Sequence, residues 1–191
     1  SDANLGHPGS LEPLTSLAYL AAVTGRVRLG VSVLVVPPKV PVQLAQMLAT
    51  VDQLSGGRLI AGLGIGRGDG LEAYGVPRSG RAARFDEAVE LIRAAWAPGP
   101  ASFAGPTWQL DGVDVQPAPV QRPGVPLWFG GGSDPAIDRA ARYGDGWTNA
   151  GMSTFADAGP LAARVRAALD RHGRDPSAFT IGKRVYVAVD D

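Results

Sequence analysis

The sequence predicts an α/β fold built on a parallel sheet. Three observations carry that reading. Apolar, β-branched runs with little polar alternation recur along the chain, as expected of strands buried on both faces. Segments of helical spacing separate them. Two of the runs end in glycine-rich turns, at the strand ends where parallel sheets place their ligands.

The elements follow in order. Residues 12–24 (EPLTSLAYLAAVT) read as a helix, with Pro13 suited to its first turn and Leu14, Leu17, Ala18, Ala21 and Ala22 at helical spacing. Residues 27–36 (VRLGVSVLVV) form a buried strand that Pro37-Pro38 ends. Residues 42–54 are a second helix, closed by Gly56-Gly57. Residues 59–65 (LIAGLGI) are the next strand, and 81–96 a long helix with Phe85, Ala88, Val89, Ile92 and Trp96 on one stripe. Its carboxylates Asp86, Glu87 and Glu90 fall on the polar side, where solvation is the expectation. The proline-rich stretch 98–126 breaks the rhythm and reads as an inserted loop or hairpin, with extended pieces at 102–103 and 108–115. Then come a strand at 125–130, a helix from Ser133-Asp134-Pro135 to Tyr143 with Ser133 as N-cap, a strand at 146–150, a helix at 154–172 and a strand at 179–189. Nothing in the sequence marks a linker, so residues 1–191 are expected to form one domain. Five strands suit a doubly wound sheet. A (β/α)8 barrel needs eight, usually in about 250 residues.

Composition narrows the chemistry. Basic and acidic residues balance at 18 each, so no basic footprint points to nucleic acid. No apolar run reaches membrane-spanning length, and residues 1–9 lack a basic-then-apolar leader. A cytoplasmic location is expected. There is no cysteine, and the histidines are His7 and His172 only, so thiol nucleophiles and Cys or His metal clusters are excluded. His172, at a helix end, reads as exposed and without a role. Trp128 and Trp147 read as core residues.

Two turns stand out. Gly62-Leu63-Gly64-Ile65-Gly66-Arg67-Gly68-Asp69-Gly70 fails the dinucleotide spacing and is no P-loop. A backbone stripped of Cβ atoms beside one guanidinium suits a phosphate or carboxylate. Close helix packing with a solvated Arg67 is the alternative. Gly130-Gly131-Gly132-Ser133 leads from a strand into a capped helix, a second place to hold an anion. Little acid–base equipment and two such turns point to a cofactor that carries the chemistry.

Four blocks together resemble the bacterial luciferase-like flavin monooxygenase family. They are Val51-Asp52-Gln53-Leu54-Ser55-Gly56-Gly57-Arg58-Leu59 with the turn after it, Arg28-Leu29-Gly30-Val31-Ser32-Val33, Pro117-Ala118-Pro119-Val120-Gln121-Arg122-Pro123, and Ala140-Ala141-Arg142-Tyr143-Gly144-Asp145-Gly146-Trp147. The resemblance implies a (β/α)8 barrel, present in part from the end of strand two through about strands three to seven. It implies FMN or the deazaflavin F420 as cofactor: FMN for oxygenation, F420 for hydride transfer without oxygen. It places a non-proline cis peptide at Ser32-Val33 against the flavin ring. It assigns the phosphate to Gly66 and Arg67 and to Gly131, Gly132 and Ser133. Relatives carry a histidine after strand two, where this chain has Ser1-Asp2-Ala3-Asn4. His7 is left as the one candidate proton donor, and no catalytic residue is assigned. The implied function is a flavin-dependent oxidoreductase or monooxygenase acting on a small organic substrate. The alternatives are an F420-dependent hydride-transfer enzyme and a non-catalytic flavin-binding barrel. An incomplete barrel exposes strand edges, so a homo-oligomer, a dimer, is expected. Neither nucleic acid nor membrane is an expected partner, and no metal is expected.

Overall fold

The computed structural model describes residues 11–66, 71–149, 154 and 156–184. The elements are α1 (Pro13–Val23), β1 (Leu29–Val35), α2 (Pro41–Ser55), β2 (Leu59–Gly64), α3 (Arg81–Ala95), β3 (Ala101–Ala104), β4 (Gln109–Val113), β5 (Leu127–Gly130), α4 (Asp134–Tyr143), β6 (Gly146–Thr148), α5 (Ala158–Arg171) and β7 (Thr180–Gly182). Among the described residues no helix is long and apolar enough to cross a membrane. The chain divides into two compact units, Ser1–Pro126 and Leu127–Asp191.

In the first unit β1 and β2 pair in parallel, Leu29 with Leu59 through Val35 with Gly64. α2 packs against both α1 and α3. The buried side chains of Leu34, Leu44, Leu48, Leu59, Leu63, Phe85 and Ile92 form its core. Such burial stabilises by roughly 1.5–3 kcal/mol per large side chain. Polar groups then fix the register. The Arg58 guanidinium donates to the carbonyls of Ala21, Thr24, Val27 and Ser55 and to Thr24 Oγ1. It thereby satisfies carbonyls at the end of α1 that the helix itself leaves without donors.

The proline-rich excursion contains an antiparallel hairpin, β3 with β4. Side chains of α2 hold its return. Gln46 Nε2 donates to Gln116 O at 2.8 Å, and Gln53 Nε2 to Ala118 O at 2.6 Å. Asp52, fully buried, accepts from the Gln121 backbone N–H at 3.0 Å and from Gln121 Nε2 at 2.8 Å. That amide also reaches Leu59 O.

One expectation on α3 is overturned. Glu87 is not solvated but buried. The turn of the hairpin folds over it, and its Oε1 accepts the backbone N–H groups of Thr107 (2.8 Å) and Trp108 (2.7 Å). A distant segment has taken over what helical periodicity assigned to water. Arg84, one turn away, lies over the Trp108 ring at 4.7 Å.

In the second unit β5, β6 and β7 run parallel, Phe129 opposite Trp147 and Trp147 opposite Ile181. Leu127, Phe129, Ile137, Trp147, Val165 and Leu169 form the core, with Ala140, Ala141 and Ala168 letting α4 and α5 approach. Trp147 is core, as read. Trp128 is half-buried and lies against Gly146 and Gly182, where a Cβ would meet its ring. His172 is exposed and pairs with Asp138 at 3.0 Å. The 146–150 and 179–189 strands are shorter than read, and residues 185–191 lie outside the described residues.

Two outcomes follow from these polar contacts. Asp52→Ala leaves both Gln121 donors without their carboxylate and is expected to lower the unfolding free energy by about 2–3 kcal/mol in urea titrations. Burial raises the Glu87 carboxyl, but the Thr107 hydroxyl and the Trp108 and Thr107 N–H groups, with Arg84, hold it below its ordinary 4.5. A depressed folded value gives stability that is complete above the ordinary value and is lost as pH falls through the folded one. The stability gap between wild type and Glu87→Gln is therefore expected to narrow in thermal melts as the pH is lowered from about 5 to about 2; a gap that is constant across that range sinks the assignment.

Candidate functional site

In the first unit the site-side features lie where β1 meets β2. The Ser32–Val33 peptide is cis, at the bond the resemblance indicated. The pairing with β2 shifts register between Val31 and Leu34. Ser32 and Val33 are both half-buried. The irregular segment leans onto β2 at two glycines. A Cβ on Gly62 would overlap the Val31 carbonyl oxygen, and one on Gly64 would stand 2.5 Å from Val33 Cγ2. The alternating glycines, read as a ligand cradle or a packing device, thus act as packing at these two positions.

Gly66 differs. It has φ +87°, and a Cβ there would meet Val35 Cγ1 at 2.7 Å and Leu71 Cδ1 at 2.8 Å. Only glycine takes that turn easily. Val35, Leu71 and Val76 form a small apolar cluster beneath it. Arg67 lies outside the described residues, as does His7. Arg84 Nε donates to Pro37 O at 2.9 Å and ties α3 to the loop after β1.

In the second unit the turn after β5 lies close against the start of α4. Gly131 has φ +118°, and a Cβ there would press on Ala136 Cβ at 2.9 Å, in the first turn of α4. Ser133 is the N-cap of α4, as read from the sequence, with extended backbone. Its O accepts from Ala136 and Ile137 N–H, while its exposed hydroxyl makes no capping bond. Asp134 is engaged by Arg164. The Trp147 indole N–H donates to Gly131 O at 2.7 Å and fixes the turn from below.

Sequence reasoning missed one residue here. Asn149 follows β6, and its N–H donates to Gly182 O at 3.1 Å. Its side chain is buried, at 2% exposure, yet neither Nδ2 nor Oδ1 has a partner among the described residues. The available signal was a carboxamide at the C-terminal end of an otherwise apolar strand.

A family model described as luciferase-like monooxygenase matches residues 3–191. A phthiodiolone/phenolphthiodiolone dimycocerosates ketoreductase of Mycobacterium tuberculosis is 33% identical over 172 residues, covering 88% of this chain and 45% of its own length. A monooxygenase from Streptomyces bottropensis superposes with TM-score 0.80 at 28% identity, over 93% of this chain and 55% of its own. A coenzyme F420 dependent tetrahydromethanopterin reductase from Methanopyrus kandleri superposes with TM-score 0.82 at 21% identity, over 94% and 55%; that likeness is one of fold. The chain spans about half the length of these proteins. The fold class is the α/β barrel of luciferase-like type, present in part, as expected.

The β1–β2 contact gives a direct test. Gly62→Ala sets a methyl group against backbone that has nothing to yield, and is expected to destabilise by about 2–3 kcal/mol. Gly25→Ala, with open space around it, is expected to stay within about 0.5 kcal/mol of wild type. Equal urea midpoints for the two variants would remove the packing explanation.

Proposed function

Because the chain belongs to the luciferase-like monooxygenase family, we propose that it is the flavin-holding part of an oxidoreductase acting on a small organic substrate. The observation that carries the reading is the pair of glycines at positive φ, Gly66 after β2 and Gly131 after β5. Each lets the backbone turn sharply at a strand's C-terminal end, the side on which parallel sheets place their ligands. The second is followed directly by a helix N-terminus, which favours a phosphate.

By the family resemblance, Ser32 and Val33 carry the ring, Gly66 and Arg67 one side of the phosphate, and Gly131, Gly132 and Ser133 the other. The bound cofactor, FMN or F420, supplies the redox chemistry. The protein's part is to bind it, orient it and keep water from it. Oxygenation with FMN is the first reading, in line with the monooxygenase from Streptomyces bottropensis. The ketoreductase relative, at 33% identity, favours a second one, reduction of a carbonyl; for it the family resemblance offers F420 as the hydride carrier.

The absorption spectrum of the purified protein and the mass of any released small molecule test the proposal. FMN with oxygen uptake on supply of reduced flavin is expected for the first reading. F420 with anaerobic carbonyl reduction is expected for the second. A protein that stays colourless with either cofactor overturns both. Arg67→Ala is expected to weaken cofactor binding by about 1–3 kcal/mol, as for loss of a charge-assisted contact. An unchanged dissociation constant removes Arg67 from the site.

A further inference from the structure

We propose that the carboxamide of Asn149 is a cofactor-binding group that hydrogen-bonds the ribityl-phosphate arm of the flavin beside the Gly131–Ser133 turn. The inference rests on the flavin reading above and adds to it a residue outside the turns.

Buried side-chain amides in native proteins almost always find partners. Asn149 is 2% exposed, and both halves of its amide lack one among the described residues. The backbone does not explain it, because the Asn149 N–H is already used on Gly182 O. The strand fixes this side chain in place, and no described residue makes use of it.

Asn149 lies just past the C-terminal end of β6, the end at which parallel strands present ligand-binding groups. Alternate residues of a strand share a face. Asn149 is therefore on the face of Trp147, whose indole reaches Gly131 O at 2.7 Å. Phe129 stands opposite Trp147, and Gly130 opposite Thr148, so Asn149 is level with Gly131. On this face Gly131 abuts Ala136 in the first turn of α4. The orphaned amide thus belongs to the side of the sheet on which α4 begins, where the Ser133 hydroxyl is also without a capping bond.

The carboxamide offers N–H donors and a carbonyl acceptor. A bare phosphate only accepts, and would leave Oδ1 without a partner. A phosphorylated polyol both accepts, through phosphate, and donates, through hydroxyls, so it satisfies both halves. FMN and F420 each carry such an arm.

The experiment uses the whole protein with two variants. Asn149→Leu removes the orphaned groups at similar volume. Asn149→Asp keeps the acceptor and adds negative charge. Dissociation constants come from flavin fluorescence, for FMN against riboflavin, or for F420 against its phosphate-free deazariboflavin. Melting temperatures are taken without cofactor. Asn149→Leu is expected to melt no lower than wild type and to bind the phosphorylated cofactor at least tenfold more weakly. Asn149→Asp is expected to bind it more weakly still, while its affinity for the phosphate-free form changes less than threefold. An Asn149→Leu protein that melts several degrees lower, together with an Asn149→Asp protein that loses both forms equally, would mark a structural role and overturn the proposal. So would unchanged affinity in both variants. Failure of the wild type to bind either flavin overturns the flavin reading itself, and is recognised before any variant is compared.

Discussion

The first unit depends on one buried carboxylate. Asp52 sits on α2 with no exposure, and both its oxygens are taken by Gln121, one by the backbone N–H and one by the side-chain amide. A buried charge without such partners is very unfavourable, so it dictates where residue 121 must lie. Gln121 in turn reaches Leu59 O at the start of β2. One residue of the helix therefore sets the beginning of a strand and the return of a segment almost seventy residues later. The chain then comes back to the sheet with Pro126 O accepting from Ala61 N–H. Arg58 acts in the same manner at the other end of the connection, holding the end of α1 and the approach to β1 through carbonyls. Hydrophobic burial drives this packing, but these directional bonds select one register from the many that burial alone would accept.

What was legible in the sequence was what local periodicity and turn chemistry determine. The runs 27–36 and 59–65, the stripe Phe85, Ala88, Val89, Ile92 and the Ser133 cap reappear as β1, β2, α3 and α4 because each is decided within about a dozen residues. Gly66 and Gly131 were picked out as turn residues, and both have the positive φ that requires glycine. Glu87 was misjudged because its partners are the amides of residues 107 and 108, brought over it by a hairpin. No window on α3 contains that information. The pairing of Asp52 with Gln121 was hidden for the same reason, although both lie in blocks that carried the family resemblance. The resemblance, rather than spacing, supplied the barrel type and the place of the cis peptide.

Two buried carboxylates and one buried amide are used differently. In the first unit, Asp52 and Glu87 each have partners within the fold. In the second, the Asn149 amide at a strand's C-terminal end has none among the described residues. Saturated polar groups make a scaffold, whereas an unsatisfied one is retained where something else completes it. Gly62 and Gly131 make the same contrast: the first gives space to a neighbouring strand, the second to the start of a helix.

The proline-rich excursion has a consequence for dynamics. Its hairpin turn is held by Glu87, with Arg84 stacked on Trp108, and its return is held by Gln46, Asp52 and Gln53. These anchors lie on two helices and act on successive stretches of one segment. To swing away, the segment would have to release all of them in a single cooperative opening, which places it towards the slow-exchanging end of the local stabilities. A stretch that reads from its prolines as an inserted loop or hairpin is thus tied along its length to α2 and α3, and amide exchange along 105–121 should be governed by the opening of those helices rather than by its own glycines and prolines.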